Sequence, residues 1–209
     1  MNIVSKIVEL SVTLPAVLLA ITFHEYAHGW AANRLGDPTA KLMGRLTLNP
    51  LSHLDPVGAL ALLIFKVGWA KPVPVNPFYL RNPGRDMVWV SAAGPAINLF
   101  LAAISALIFR MMEGMVIPAY SRFFMEPFFR MVYWSVVINV ALAVFNILPI
   151  PPLDGSRILS GLLPRDKALI YSRIEPYGIF ILLGLIFIGA VDMIIWPAIS
   201  IVTHVLLRA

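Results

Sequence analysis

The sequence contains no cysteine and few charged residues. Only 13% of its 209 residues are charged, whereas 59% are hydrophobic and the mean hydropathy is +0.83. The absence of cysteine excludes disulfides and thiolate ligands, so a metal site would have to use histidines and carboxylates. The scarcity of charge excludes an ordinary soluble domain and is typical of an integral membrane protein.

The chain also lacks a Gly/Ser-rich linker, a charge run or an internal repeat. We therefore expect residues 1–209 to form a single membrane domain. The net charge of +5 comes from basic residues that are spread among the loops, which favours a lipid bilayer as partner and no nucleic acid. The N-terminal apolar run has no short signal-peptide core with a cleavage site, and we interpret it as a retained membrane helix.

The apolar runs predict an all-α membrane protein, a polytopic bundle of about four to six membrane segments. Residues 57–65 would be only ~14 Å long as a helix, so we expect a short or re-entrant element there. Residues 193–209 contain Pro197 and predict a kinked span or an interfacial helix. Four segments approach or exceed the roughly 20 residues that a span needs: about 7–32, 87–110, 131–149 and 176–195.

Residues 67–75, VGWAKPVPV, alternate partly between apolar and polar residues and contain two prolines. This pattern is compatible with a small β-hairpin or edge strand near the membrane surface, to which an unwound substrate would add a strand. A proline-stiffened loop explains it equally well.

The distribution of lysine and arginine predicts the orientation in the membrane. Residues 33–86 and 155–175 are rich in basic residues, whereas the loop 110–130 balances its arginines with two glutamates. The positive-inside rule then places the first two loops in the cytoplasm. His24, roughly 26 Å along the first helix at 1.5 Å per residue, would lie near the cytoplasmic end of the membrane core.

The stretch FHEYAHGW, residues 23–30, places three ionisable side chains in an apolar segment. On a helix His24 and His28 lie one turn apart and can hold one Zn²⁺, with Glu25 beside the open position as general base. Interhelical hydrogen bonds of the two histidines are the alternative. Burial in a membrane weakens this alternative, because ionisable groups there are costly.

Two further stretches carry polar residues at membrane depth. In FNILPIPPLDGSRIL, residues 145–159, prolines end a helix, and Asp154 can point back into the protein as a third ligand or form an ordinary turn. Asn146 can donate a hydrogen bond to an oxyanion or join helices. In SAAGPAINL, residues 91–99, small residues permit close helix packing. Pro95 also frees a backbone carbonyl, and Asn98 adds a polar group at the same depth, which together suggest a face that lines the site.

The motifs HEYAH, GPAIN and NILPIPPLDG, in this order, resemble those of the site-2 protease family of intramembrane zinc metalloproteases. The resemblance covers nearly the whole chain, although the PDZ and nucleotide-sensing domains of some relatives are not expected here. It implies one zinc per chain bound by His24, His28 and Asp154, Glu25 as general base, and Asn146 as a residue that holds the substrate or its oxyanion. It implies less about Asn98, a candidate for substrate binding.

The function that follows is regulated intramembrane proteolysis, the hydrolysis of peptide bonds in transmembrane segments of membrane proteins. The enzyme would be a multi-pass protein of the cell membrane with its active site open toward the cytoplasm. One alternative is a membrane metal transporter, which would not need Glu25 beside the ligands. Another is an inactive relative that only binds membrane helices.

Overall fold

The computed structural model describes residues 3–65, 68–115, 118 and 121–208. These residues form nine α-helices and no strand. The helices are α1 (Ile3–Arg34), α2 (Thr39–Leu42), α3 (Pro56–Phe65), α4 (Pro83–Glu113), α5 (Arg122–Ile147), α6 (Asp154–Leu162), α7 (Arg165–Ser172), α8 (Gly178–Phe187) and α9 (Ala190–Arg208). The all-α class expected from the apolar runs is confirmed.

Helix α4 is the central element and packs against α1, α5, α6 and α9. Its small residues Ala102 and Ala106 meet Val136 and Val140 of α5, and Ile195 and Ile199 of α9 complete this core. Leucines, isoleucines and phenylalanines on the outer faces of the same helices remain exposed. Apolar surface on both sides of a helix is expected when one side faces lipid.

Five helical segments are long and apolar enough to cross a membrane, so the chain is a multi-pass membrane protein and the expected four to six spans are confirmed. They are Val8–Arg34, Pro83–Glu113, Met125–Ile147, Arg165–Phe187 and Ala190–Arg208. The C-terminal segment, for which the sequence left a span and an interfacial helix open, is a 19-residue helix with Pro197 inside it.

The predicted span 176–195 is wrong, because the chain turns between α8 and α9. The N–H of Gly189 bonds to Ile186 O, and Gly189 has φ of +73°. Glycine adopts this left-handed conformation without a steric penalty and commonly ends helices. Residues 190–195 therefore belong to the last helix.

The chain between α1 and α4 is held at the end of α1 by polar contacts. Lys71 N–H donates to His53 O, Arg45 Nη2 donates to Lys71 O and Pro72 O, and Asn76 N–H donates to the buried Asp37 carboxylate. Residues 68–75 form one isolated antiparallel bridge, from Ala70 to Leu54, and no strand. The proline-stiffened loop is thus the form that these residues take, and Val67 lies outside the described residues.

The connection from α5 to α6 returns the chain to α1. Helix α5 ends at Ile147, before Pro149, and α6 begins at Asp154. Gly155 lies so close to the carbonyl groups of Ile147 and Leu148 that a Cβ would collide with both. The absence of a side chain at Gly155 therefore lets the start of α6 fold back beneath the end of α5, which places Asp154 opposite the histidines of α1.

Candidate active site

His24 and His28 lie one turn apart on α1, and their Nε2 atoms are 3.0 Å apart. Both residues are buried, at 7% and 8% exposure. The i, i+4 spacing puts both imidazoles on the same face of the helix, as the sequence predicted.

Asp154 completes the cluster from the first residue of α6. Its Oδ2 lies 3.1 Å from His24 Nε2 and 3.2 Å from His28 Nε2. These three side chains are the one group of potential metal ligands found among the described residues. Two distant parts of the chain, α1 and the Pro-rich turn before α6, therefore meet at one point.

The Nδ1 atom of each histidine faces an oxygen atom of α4. His24 Nδ1 lies 2.6 Å from Asn98 Oδ1, and His28 Nδ1 lies 2.7 Å from Val90 O. Each Nδ1 therefore carries the proton and donates it, because the oxygens accept. A neutral ring with this tautomer has an unprotonated Nε2 directed at the cluster, which is the state in which imidazole binds metals.

The chemistry of this cluster fits a cation. Two Nε2 lone pairs and a carboxylate oxygen meet within 3.2 Å, and Asp154 Oδ2 is buried without a hydrogen-bond donor among the described residues. Such electron-rich atoms repel one another unless a positive charge lies between them. Tetrahedral zinc with bonds of roughly 2.0–2.1 Å separates its ligand atoms by about 3.3 Å, close to the distances here.

Gly94 of α4 keeps the space beside the cluster open. A Cβ at Gly94 would lie 2.6 Å from both His24 Cε1 and His28 Cε1 and would collide with His28 Nε2. The sequence predicts helix packing for the small residues around Gly94. In the structure, Gly94 also leaves room for the two imidazoles and for what they bind.

Glu25, between the two histidines, is held by the loop that crosses α1. Val73 N–H donates to Glu25 Oε2 over 2.8 Å. Val73 lies between Pro72 and Pro74, which have no N–H, so it supplies the one backbone donor of residues 72–74. Its side chain is 7% exposed and packs on Gly29. One carboxylate oxygen of Glu25 is thus fixed.

Asn98 lies among polar partners in the interior of the bundle. It is fully buried, and its Nδ2 donates hydrogen bonds to Ala20 O and Asn139 Oδ1. Its Oδ1 accepts a hydrogen bond from His24 Nδ1. A substrate would have to break these bonds to reach it. Its role in substrate binding stays a prediction, and in the structure it lies behind His24.

Asn146 donates one hydrogen bond, over 2.9 Å, to Leu142 O of its own helix. The structure thus shows no hydrogen bond from it to His24, His28 or Asp154. Its role toward a substrate stays a prediction.

Asn139 and Val73 contact the site's residues but were missed by the sequence analysis. Asn139 is a polar residue inside an apolar span, the signal that singled out Asn98, and the same criterion would have found it. Val73 acts through its backbone, which leaves no signature except its two flanking prolines. Pro95 has no N–H, so the backbone carbonyl that it leaves free is that of Ser91. His28 donates instead to the carbonyl of Val90.

Comparison with known proteins identifies the family of the chain. Residues 12–189 match the model of peptidase family M50. The chain is 39% identical over 186 residues to the Bacillus subtilis protein named "Putative zinc metalloprotease YwhC", covering 88% of this chain and 84% of that protein. No solved structure matches the chain.

Proteins named "Putative zinc metalloprotease Rip2" are more distant. The one from Mycolicibacterium smegmatis is 31% identical over 84% of this chain, and the one from Mycobacterium tuberculosis strain H37Rv is 28% identical over 80%. The chain spans 66% and 63% of these two relatives. From the family match and the similarity to YwhC, we conclude that the chain belongs to peptidase family M50, the site-2 protease family of membrane zinc metalloproteases.

Proposed function

We propose that this protein is an intramembrane endopeptidase that hydrolyses peptide bonds within or near transmembrane segments of other membrane proteins. The observation that carries the proposal is the meeting of His24 Nε2, His28 Nε2 and Asp154 Oδ2 beside Glu25, at the end of a membrane helix. A buried set of this kind has the three protein ligands and the adjacent base that a catalytic zinc site requires.

His24, His28 and Asp154 would hold one zinc per chain. When bound, zinc polarises the scissile carbonyl and lowers the pKa of water. Glu25 takes the proton of the attacking water and passes it to the leaving amine. Val73 N–H supports this role because it holds Oε2 in place and leaves Oε1 to carry the proton.

The substrate segment must unwind before it is cut, since the carbonyl groups of a membrane helix are tied up in its own hydrogen bonds. Residues 68–75 offer a non-helical, proline-stiffened edge next to Glu25, because Val73 contacts that carboxylate. We expect an unwound substrate to align along this edge by main-chain hydrogen bonds. Asn146 then has an N–H left to donate to the substrate or its oxyanion.

The site is proposed to open toward the cytoplasm of a cell membrane. The loop after α1 and the segment around α6 and α7 carry most of the basic residues, and both adjoin the cluster. Water would reach Glu25 from that side, because the cluster lies in the last third of α1.

The geometry favours proteolysis over the transport of metal ions. A permeation path needs ligands repeated along the bundle, and the described residues hold a single cluster. The intact Glu25 likewise disfavours a relative that binds membrane helices without cutting them.

The test is Glu25→Gln in purified protein reconstituted with a single-span model substrate. The amide keeps the size of the side chain but cannot accept the proton of water, so cleavage should fall by at least ~10²-fold. Zinc should stay at about one per chain, since Glu25 is not a ligand. Cleavage near the wild-type rate would remove Glu25 from the mechanism.

A further inference from the structure

A chain of hydrogen bonds leads from His24 into the interior of the bundle. His24 Nδ1 lies 2.6 Å from Asn98 Oδ1, and Asn98 Nδ2 lies 2.8 Å from Asn139 Oδ1. Asn139 Nδ2 lies 2.8 Å from Ser135 O. Asn98 and Asn139 are 0% and 2% exposed, so water does not compete for these bonds. The chain joins α1, α4 and α5 within the membrane-spanning part of the protein.

The direction of every bond follows from two backbone carbonyls, those of Ser135 and Ala20. Ser135 O can only accept, so Asn139 must turn its NH₂ toward it and its Oδ1 toward Asn98. Asn98 must then present its NH₂ to Asn139, where Ala20 O, 3.1 Å away, accepts as well. The Oδ1 of Asn98 is left for His24, which donates from Nδ1.

We propose that Asn139 is a positioning residue that, together with Ala20 O, keeps His24 in the tautomer that binds zinc. It acts through Asn98, and the inference rests on the proposed function, in which His24 is a zinc ligand. If the Asn98 amide turned over, its NH₂ would face Nδ1. The imidazole proton would have to move to Nε2, the atom that faces His28 and Asp154, and that nitrogen could no longer bind a metal.

The surroundings of Asn139 separate this role from simple helix packing. Ser105 and Ser135 also join α4 to α5, through a 2.9 Å bond between their hydroxyls. Removal of the Ser135 hydroxyl would break that bond and the long 3.4 Å contact from Asn139 Nδ2 to Ser135 Oγ, but it would leave the 2.8 Å bond from Asn139 to Ser135 O in place. Asn139 and Ser135 therefore form a matched pair of variants, of which only one disturbs the Asn98 amide.

The experiment measures the zinc dissociation constant of detergent-purified full-length protein by competition with a chelator. Asn139→Leu should weaken zinc binding about tenfold, the lower end of the effect of residues that orient a ligand. Ser135→Ala should bind zinc like the wild type. The double variant Asn98→Leu/Asn139→Leu should bind no more weakly than Asn98→Leu, because Asn139 acts through Asn98.

Three results would overturn the proposal: wild-type affinity in Asn139→Leu, additive losses in the double variant, or an equal loss in Ser135→Ala. Should Asn139→Leu fail to fold, Asn139→Ala replaces it with the same expected loss. His24→Ala tests the assignment of His24 as a zinc ligand separately from the positioning role of Asn139. If it kept wild-type zinc affinity, the ligand assignment itself would fail, whereas loss of zinc there with none in the Asn139 variants refutes only the positioning role.

Discussion

At the scale of single residues, the site depends on groups that hold the reactive side chains as much as on those side chains. The proposed role of Glu25 as general base requires that its carboxylate be held in one orientation. The structure fixes Oε2 through Val73 N–H. This bond joins a loop to a carboxylate, and a hydrogen bond to a charged group is worth roughly 1.5–3 kcal/mol.

We expect Val73→Pro to lower kcat about tenfold, the effect of roughly 1.4 kcal/mol at the transition state. The substitution removes the N–H but keeps an apolar side chain between two prolines. Val73→Ala is the matched control, because it shortens the side chain and retains the donor, and it should stay within about threefold of the wild type. Steady-state cleavage with zinc content measured in parallel checks both. Equal losses in the two variants would mean that packing, not the hydrogen bond, is what Val73 contributes.

The residues of the cluster could be predicted from the sequence because each lies in a motif whose spacing dictates its geometry. The i, i+4 interval fixes the relation of His24 to His28, and the prolines before Asp154 force the chain out of its helix. The partners of Asn98 could not be predicted in this way. They depend on how α1, α4 and α5 are rotated about their axes, which side-chain packing decides and hydropathy does not record.

At the scale of elements, α4 has two functions at the site: it supplies the oxygens that orient both imidazoles, and it leaves room for them at Gly94. Its boundaries, Pro83 to Glu113, extend the predicted segment 87–110 at both ends, because the residues of the first and last turns stay helical beyond the apolar run. The turn at Gly189 escaped prediction, since one glycine in an apolar run does not distinguish a helix end from a packing contact.

Gly94→Ala should weaken zinc binding by about tenfold or more, as displacement of a ligand's ring does in other metal sites. The added Cβ would lie 2.6 Å from the Cε1 atoms of both imidazoles, so at least one ring has to move. Gly184→Ala in α8 is the control, because a Cβ there meets no atom within 4 Å. A chelator titration measures both, and unchanged affinity in Gly94→Ala would show that the rings have space to spare.

At the scale of the whole molecule, the account requires the cluster to lie at the cytoplasmic end of the bundle. The absence of native cysteine makes this easy to test, because each introduced thiol is the only one in the chain. Lys41 and Arg157 are exposed beside the two basic loops, and Arg122 is exposed at the start of α5. The positive-inside rule places the first two inside and the third outside.

Cysteines at Lys41 and Arg157 should react with a membrane-impermeant maleimide only when it reaches the cytoplasmic face, and a cysteine at Arg122 only from the outer face. Labelling of intact cells and of inverted vesicles, read by gel shift, provides the comparison. The reverse pattern at all three positions would invert the orientation and move the site to the other side of the membrane.

The central claim is that His24, His28 and Asp154 together hold zinc, and zinc content combined with X-ray absorption of the purified protein tests it most directly. The wild type should contain about one zinc per chain, with two imidazole nitrogens among its ligands and the rest oxygen. Asp154→Ala should lose zinc and cleavage, whereas Asp192→Asn, at the start of α9, should keep both. Full zinc occupancy in Asp154→Ala, or a wild-type zinc with fewer than two imidazoles, would contradict the account.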